Sequence, residues 1–266
     1  MLSNMNEIQY EFKIEKKVRF KKFVLYTSLS AVVLCIILSF SIYLSLPNIT
    51  YLKNKNPKIT ALMQLRKEQT EAQGKKYNIR QNWVSFQTIP DLLKKAVRIS
   101  EDASFYEHEG IDYEELKESI KKNFEEGTLV RGGSTITQQL AKNLFLSPEK
   151  SFLRKIKEYF IAKRLEDELS KDRIFNLYLN VIELGPGIFG VEAASQHHFN
   201  KSVQNLNLEE IISLTAIIPR PLTVSPKKDS RWLKWKVEWI FHKMKLYKYI
   251  DEELIEKNSL YISRWS

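Results

Sequence analysis

The chain has 266 residues, one cysteine, four histidines and a formal net charge of +10. The single cysteine, Cys35, excludes an intrachain disulfide and a cysteine-based metal site, and the histidines form no H-E-x-x-H pattern that would support zinc. The length allows one large or two small domains, and the positive charge suits an anionic partner such as nucleic acid, a lipid surface or a phosphorylated substrate.

The first predicted element is a membrane-spanning helix. A polar, basic tail over 1–22 precedes 24 uncharged and largely apolar residues over 23–46. At about 1.5 Å per residue, this helix is long enough for a hydrocarbon core of about 30 Å. Because the basic residues come first, the amino terminus is predicted to lie in the cytoplasm and the rest of the chain outside. A cleaved signal peptide is the alternative, since Ser39 and Ser41 form a small-x-small pair, but the apolar run is longer than a signal peptide usually has.

The part of the chain after the span is predicted to be all-α. We interpret 47–82 as a membrane-proximal stalk and helix, 83–250 as the main domain and 251–266 as a C-terminal tail. Helices of the main domain are predicted over 91–100, 112–127, 135–146, 151–169, 171–184, 189–199, 207–219 and from 229 onwards. Only 83–90 alternates apolar and polar residues like an extended segment, and no repeat is evident.

Three of these helices begin with the spacing of a capping box, in which a helix-start side chain and one three residues later bond to each other's backbone amides. The pairs are Asp112 with Glu115, Thr135 with Gln138 and Asn207 with Glu210. In the helix that follows Asp112, every fourth residue is apolar, namely Leu116, Ile120 and Phe124. These three residues are predicted to form its apolar face.

The most informative stretch is 132–146, which reads GGSTITQQLAKNLFL. Its two glycines give the backbone unusual freedom, and a helix is predicted to start directly after them. The helix start is rich in hydrogen-bond donors, which are Ser134, Thr135, Thr137, Gln138, Gln139 and Lys142. Free backbone amides and the helix dipole favour an anion at such an end. An ordinary capped helix with a solvated polar face is the alternative.

Two carboxylates are candidates for chemistry at the end of the helix over 91–100. Glu101 and Asp102 lie a few residues before Phe105 and His108. A carboxylate among aromatic rings can serve as a general base. A solvated helix end is the alternative interpretation of this pair.

A third carboxylate, Glu158, lies one helical turn after Arg154. A surface ion pair is the plain interpretation, and a partly buried pair facing a cleft is the functional one. Lys142, Lys150 and Lys155 are close to this pair in the chain. Such a basic cluster beside a donor-rich helix start is what a pyrophosphate leaving group needs, although a loose basic cluster is also common on surfaces.

Four segments carry a resemblance to a known family. They are EDASFYEHEG at 101–110, GGSTITQQLAKNLFL at 132–146, RKIKE at 154–158 and YLNVIELGPGIFGVEAA at 178–194. In this order they resemble the peptidoglycan glycosyltransferases of family 51, especially the membrane-anchored monofunctional biosynthetic transglycosylases. The resemblance covers about 83–246.

The resemblance implies an all-α, lysozyme-like domain with a small jaw lobe near the membrane, preceded by one transmembrane helix. It implies polymerisation of lipid II into β-1,4-linked glycan strands in cell-wall biosynthesis, by inverting attack of the acceptor 4-hydroxyl on a lipid-pyrophosphate-linked donor chain. The expected location is the bacterial plasma membrane, with the catalytic domain on its outer face. Expected partners are lipid II, the growing strand and other cell-wall synthesis or division proteins.

By motif position, the resemblance implies that Glu101 is the general base. It implies that Glu158 assists departure of the pyrophosphate, either directly or through a divalent ion such as Mg²⁺ or Mn²⁺. The residues expected to hold phosphates and sugars or to shape the cleft are Asp102, Phe105, His108, Ser134, Thr135, Gln138, Gln139, Lys142, Lys150, Arg154 and Lys155.

Three other functions are alternatives. A lysozyme-like or lytic enzyme would share the fold class and a catalytic glutamate, but it would not need the basic cluster. A bifunctional penicillin-binding protein would need S-D-N and K-T-G motifs, which do not follow any S-x-x-K match in this chain. An inactive membrane-tethered scaffold is disfavoured because both glutamates are present. Nucleic acid is excluded as a partner if the domain lies outside the membrane.

Overall fold

The structure is a computed structural model that describes residues 2–127, 133–147, 151–228 and 230–257. The chain forms two compact units, Met1–Leu46 and Pro47–Ser266.

The first unit is one long helix, α1, which covers Leu2–Leu44. Its segment Arg19–Ile42 is long and apolar enough to cross a membrane. Large apolar side chains on several sides of this segment are exposed, among them Phe23, Leu29 and Ile36. An all-round apolar surface is typical of a helix whose surroundings are lipid.

The second unit is helical, with one short sheet. Its helices are α2 (Ala61–Glu71), α3 (Asp91–Glu101), α4 (Tyr113–Glu125), α5 (Ile136–Phe145), α6 (Phe152–Glu168), α7 (Lys171–Val181), α8 (Val191–Phe199), α9 (Leu208–Ala216), α10 (Arg231–Leu246) and α11 (Glu252–Lys257). Short 3₁₀ helices cover Thr50–Lys53 and Val203–Asn205. The strands are β1 (Arg80–Gln81), β2 (Glu183–Gly185) and β3 (Ile188–Phe189). The predicted all-α class is confirmed.

Helix starts agree closely with the polar signals in the sequence. Thr135 with Gln138 and Asn207 with Glu210 form complete capping boxes, which satisfy amide groups that the first helical turn leaves without partners. Asp112 also caps its helix by accepting a hydrogen bond from the Glu115 amide.

The prediction of an extended segment over 83–90 is wrong. The strand β1 ends just before it, and 86–88 form a turn. The Asn180 side chain explains why Val84 needs no partner strand, because it accepts from the Val84 amide at 2.9 Å and donates to the Val84 carbonyl at 3.1 Å. A side chain therefore satisfies backbone groups that a sheet would otherwise pair.

The sheet itself was not predicted. β3 lies between β1, its parallel partner, and β2, its antiparallel partner. The two strands β2 and β3 are joined by the turn around Pro186 and Gly187, where Gly187 has φ +75°. This hairpin shortens the predicted helices on both sides, so α7 ends at Val181 and α8 starts at Val191.

The segment after the span is packed onto the domain and is not a free stalk. Ile49 and Leu52 are buried. The Arg173 guanidinium on α7 donates to the backbone carbonyls of Leu52 at 2.7 Å and Lys55 at 2.9 Å. These contacts join residues more than 100 positions apart, so no local pattern could have predicted them.

The predicted apolar face of α4 is exposed. The exposed fractions are 38% for Leu116, 62% for Ile120 and 88% for Phe124. The spacing predicted an apolar stripe correctly, but an apolar stripe does not specify what covers it.

The core positions the candidate site between two groups of helices. α5 packs against α2, α6 and α7, while α3 packs against α9 and α10. Ile136, Leu140 and Leu144 form the buried stripe of α5. The end of α3 meets the polar side of α5, and the candidate carboxylates lie at and near that junction.

Candidate active site

Glu101 is the last residue of α3, and its half-buried carboxylate is held by side chains. Gln139 of α5 donates from Nε2 to Glu101 Oε2 at 3.1 Å. The hydroxyl of Ser100 donates to Glu101 Oε1 at 3.2 Å. Both contacts leave the carboxylate partly accessible at the helix end.

Gln139 is itself oriented by Tyr178 of α7. The Tyr178 hydroxyl donates to Gln139 Oε1 at 3.1 Å, which directs the amide nitrogen of Gln139 to Glu101. Tyr178 is fully buried, and this burial raises its pKa well above the usual value, with the charges of Glu101 and Asp102 adding to the effect. The tyrosine therefore stays protonated and remains a donor. Its contribution was missed, because no spacing in the sequence links positions 139 and 178.

Asp102 points away from Glu101 to the start of α5. Its Oδ2 accepts from the Ile136 amide at 2.9 Å, and its Oδ1 accepts from His108 Nε2 at 2.9 Å. Because the Gly110 amide donates to His108 Nδ1, the proton of the neutral imidazole is on Nε2. The helix start predicted to attract an anion thus binds a carboxylate of the protein itself.

Thr135 and Gln138 are buried and form the same helix start. The Thr135 hydroxyl donates to the Gly110 carbonyl at 2.6 Å, and Gln138 Oε1 accepts from the Thr135 amide at 3.1 Å. Thr137 is also buried and donates to Glu166. The alternative of a solvated polar face is therefore wrong for this turn, because the motif loop at 101–110 covers it.

Phe105 lies in the core and does not line an open cleft. It is fully buried, with its ring 5.4 Å from that of Phe175 and the Lys171 ammonium 4.5 Å above its face. The same lysine donates to the backbone carbonyl of His108. Phe105 therefore anchors the loop that carries Asp102 and His108.

Glu158 is the centre of a charged cluster on α6. Only 3% of it is exposed, and it accepts from Arg154 Nη1 at 2.6 Å and from Lys155 Nζ. Lys155 also donates to Ser134 at 3.0 Å, which ties the cluster to the loop before α5. The burial of Glu158 agrees with the partly buried pair of the functional interpretation and not with a surface ion pair.

Lys142 lies among these charges and has no bonding partner in the described part of the chain. Its half-buried ammonium makes no hydrogen bond or ion pair with any residue that the structure describes. Burial lowers its pKa most, Arg154 and Lys155 lower it further, and the charges of Glu158 and Glu101 oppose this. Lys142 is thus within electrostatic reach of both candidate catalytic glutamates and is available to an anionic ligand.

Comparison with known proteins decides the family. The transglycosylase family model matches residues 67–245. The chain belongs to the transglycosylase family. It is 41% identical over 196 residues to a biosynthetic peptidoglycan transglycosylase of Nitrosospira multiformis, covering 74% of this chain and 85% of the relative.

Proteins of the same name from other bacteria match equally well. The relative from Alcanivorax borkumensis is 43% identical, with 75% of this chain and 79% of the relative covered. The relative from Methylobacillus flagellatus is 39% identical, with 82% and 93% covered. The lysozyme-like fold class expected from the sequence is that of this family.

Two further predictions for this transglycosylase concern Lys150 and a divalent ion near Glu158. Lys150 lies outside the described residues. The predicted divalent ion near Glu158 does not fit the described surroundings, because both carboxylate oxygens accept from cations, Arg154 and Lys155.

Asp102, His108 and Asp112 of the transglycosylase lie close enough together to resemble a cation site. The ligand atoms of Asp102, His108 and Asp112 lie within 4.8 Å of one another. Each already has internal partners, since Asp112 accepts from the Glu115 amide and from Ser104. The cluster is thus part of the loop scaffold.

Lys236 of α10 was missed by the sequence analysis. It is buried, and Glu101 is the carboxylate whose charge acts on it. In the sequence it lies between Trp235 and Trp239. A lysine on the buried side of an amphipathic helix was the available signal.

Proposed function

We propose that this transglycosylase polymerises lipid II into β-1,4-linked glycan strands for the bacterial cell wall. The observation that carries the proposal is the arrangement of Glu101, Glu158 and Lys142. The carboxylate of Glu101 is partly accessible, and that of Glu158 is buried and paired with cations. Both negative charges act on the ammonium of Lys142, which has no bonding partner among the described residues. The names of the relatives supply the substrate class.

Glu101 is the proposed general base. The acceptor 4-hydroxyl gives its proton to the Glu101 carboxylate as its oxygen forms a bond to the anomeric carbon of the donor. Gln139 and Ser100 hold the carboxylate in place, so little reorganisation is needed during the step. Attack from one side and departure from the other gives inversion.

The basic cluster is proposed to bind the leaving pyrophosphate. The bond between the anomeric carbon and the phosphate oxygen breaks, and its electron pair stays on the pyrophosphate. Lys142, Arg154 and Lys155 can stabilise this charge, and Glu158 holds Arg154 and Lys155 in position. Ser134 extends the cluster to the loop before α5, and Lys150 is proposed to join it from the same region of the chain.

The remaining predicted site residues are proposed to act mainly by holding the site in shape. Asp102 and His108 connect the loop of Glu101 to α5, and Thr135 with Gln138 caps that helix. Phe105 anchors the loop in the core. Their substitution is expected to disturb the position of Glu101 and Gln139 and not the chemistry directly.

We also propose that α1 is an uncleaved anchor, with its amino end in the cytoplasm and the domain on the outer face. The exposed apolar face of α4, formed by Leu116, Ile120 and Phe124, suits contact with the lipid part of the substrate or with the bilayer. Other cell-wall synthesis or division proteins are proposed partners.

The test is polymerisation of labelled lipid II by the full chain in detergent. We expect long strands from the wild type and none from Glu101→Gln. Glu107→Gln is the matched control, since this exposed glutamate lies in the same loop. Cleavage of preformed peptidoglycan without polymerisation would identify a hydrolase, and inactivity in both assays would favour a scaffold.

A further inference from the structure

A polar cavity lies between the start of α7 and the two segments 53–56 and 83–85. Its volume is about 390 Å³, which is in the range of sites for small molecules. The residues that line it include Lys53, Asn54, Asn56, Trp83, Arg173 and Asn176. None of them has a role in the proposed chemistry, so the cavity needs an explanation of its own.

The cavity and the candidate active site lie on opposite sides of α7. Arg173 and Asn176 are three residues apart and share one face of this helix. Tyr178 lies about 200° around the helix from Asn176, and its hydroxyl bonds to Gln139 in the candidate active site. A ligand in the cavity is therefore separate from one bound at Glu101.

Side chains of α7 hold both walls of the cavity in place. The Arg173 guanidinium donates to the Leu52 carbonyl at 2.7 Å and to Asn56 Oδ1 at 2.9 Å, which fixes the first wall. Asn180 bonds to both backbone groups of Val84, which lies in the second wall. Because the fold itself fixes both walls, binding of a ligand needs little reorganisation.

The charge in the cavity comes from Arg173. This half-buried guanidinium bonds only to neutral oxygens and makes no ion pair with any residue that the structure describes. Lys53, in contrast, is paired with Glu168 at 2.6 Å. A partly buried cation without an acidic partner favours a ligand that carries an anionic group.

The remaining lining groups are an indole and several amides. Asn176 Oδ1 accepts from Asn180 at 2.8 Å, which leaves the Asn176 amide nitrogen as a donor. The side chains of Asn54 and Trp83 make no hydrogen bond within the described ranges. An aromatic face beside amides suits a sugar ring, because the C–H groups of the ring pack on the indole while its hydroxyl and N-acyl groups bond to the amides.

We propose that this cavity binds an N-acylated saccharide whose sugar or peptide substituent carries a carboxylate. The inference rests on the proposed function for the source of this saccharide, which is the growing glycan strand. Arg173 binds the carboxylate, Trp83 packs on a sugar ring, and Asn54 and Asn176 bond to the polar substituents. A phosphorylated lipid headgroup would match Arg173 but would not use the indole face, so the saccharide is favoured.

The experiment is calorimetric titration of the full chain in detergent with a lipid-free disaccharide tetrapeptide of peptidoglycan. Chitobiose is the neutral saccharide for comparison, and glycerol 1-phosphate is the probe for a phosphorylated headgroup. We expect the disaccharide peptide to bind at least about tenfold more tightly than either of them.

Substitutions assign this binding to the cavity. Trp83→Ala should weaken it by about tenfold and Asn54→Ala by about threefold. The second variant removes an exposed side chain, so it tests the site with little effect on folding. Arg173→Gln should remove the preference over chitobiose. Trp235→Ala, at an exposed tryptophan of α10, and Glu101→Gln are controls that should bind like the wild type.

Absence of binding by the wild type, or wild-type affinity in both Trp83→Ala and Asn54→Ala, would overturn the inference. Equal affinity for chitobiose would also overturn it, and tighter binding of glycerol 1-phosphate would do so in favour of a lipid headgroup. Weaker binding in Glu101→Gln would place the saccharide in the active site instead. A wild type that binds the disaccharide peptide but does not polymerise lipid II would contradict the proposed function alone, so the two failures are distinguishable.

Discussion

Asp102 and Ile136 are 34 residues apart in the chain, and the Asp102 carboxylate accepts a 2.9 Å hydrogen bond from the Ile136 amide. The contact places a negative charge at the positive end of α5. It also fixes the loop after Glu101 to the helix that carries Gln139. Adjacent carboxylates thus have separate roles, with Asp102 holding the scaffold and Glu101 left for the proposed chemistry.

Asp102→Asn should reduce stability, because the substitution keeps the size of the side chain but removes its charge. We expect a loss of about 1–3 kcal/mol, from weaker bonds to the helix start and to His108. Thermal unfolding followed by circular dichroism measures it. Asp91→Asn, at the exposed start of α3, is the control and should have a much smaller effect. Equal melting temperatures for both variants would contradict the role of Asp102.

Tyr178→Phe should lower activity without a comparable loss of stability. The ring and its packing remain, but the hydroxyl that orients the Gln139 amide is removed. We expect kcat to fall by about tenfold, since a misoriented amide oxygen would repel the Glu101 carboxylate. Tyr106→Phe is the control, because the Tyr106 hydroxyl bonds to Asp172 in an exposed position. Wild-type turnover in Tyr178→Phe would show that the orientation of Gln139 does not depend on this bond.

Lys142→Met and Lys155→Met should separate activity from stability. Both remove a cation of the proposed pyrophosphate site, so polymerisation should fall by at least about a hundredfold in each. Lys142→Met should keep or raise the melting temperature, because it removes a half-buried ammonium with no described partner. Lys155→Met should lower it, since Glu158 loses one of its two partners. A marked drop in stability for Lys142→Met would mean that its charge is satisfied within the protein.

The alkaline side of the activity profile should depend on Lys142. Burial lowers the pKa of its ammonium from the usual 10.5, so the cation is lost at a lower pH than for an exposed lysine. As pH rises through that pKa, binding of the anionic donor should weaken and kcat/KM should fall. Lys142→Arg should extend activity to higher pH, because a guanidinium stays charged. The same alkaline limb in both proteins would assign it to another group.

Local sequence determined the helices and their starts. Thr135 with Gln138 and Asn207 with Glu210 are only three residues apart, so the cap forms within one turn whatever surrounds it. The uncharged run over 23–46 likewise specifies a membrane-length helix by composition alone. The motif residues Glu101 and Glu158 were also identified from the sequence, and their roles remain predictions.

Tertiary structure decided how these elements meet. The apolar face of α4 is exposed, and the backbone of Val84 pairs with the Asn180 side chain and not with a strand. Tyr178 reaches Gln139, the partner of Glu101, from a helix far along the chain. The reason is physical, because periodicity and caps act over one or two turns, whereas burial and charge pairing depend on which distant side chains the packed fold brings into contact.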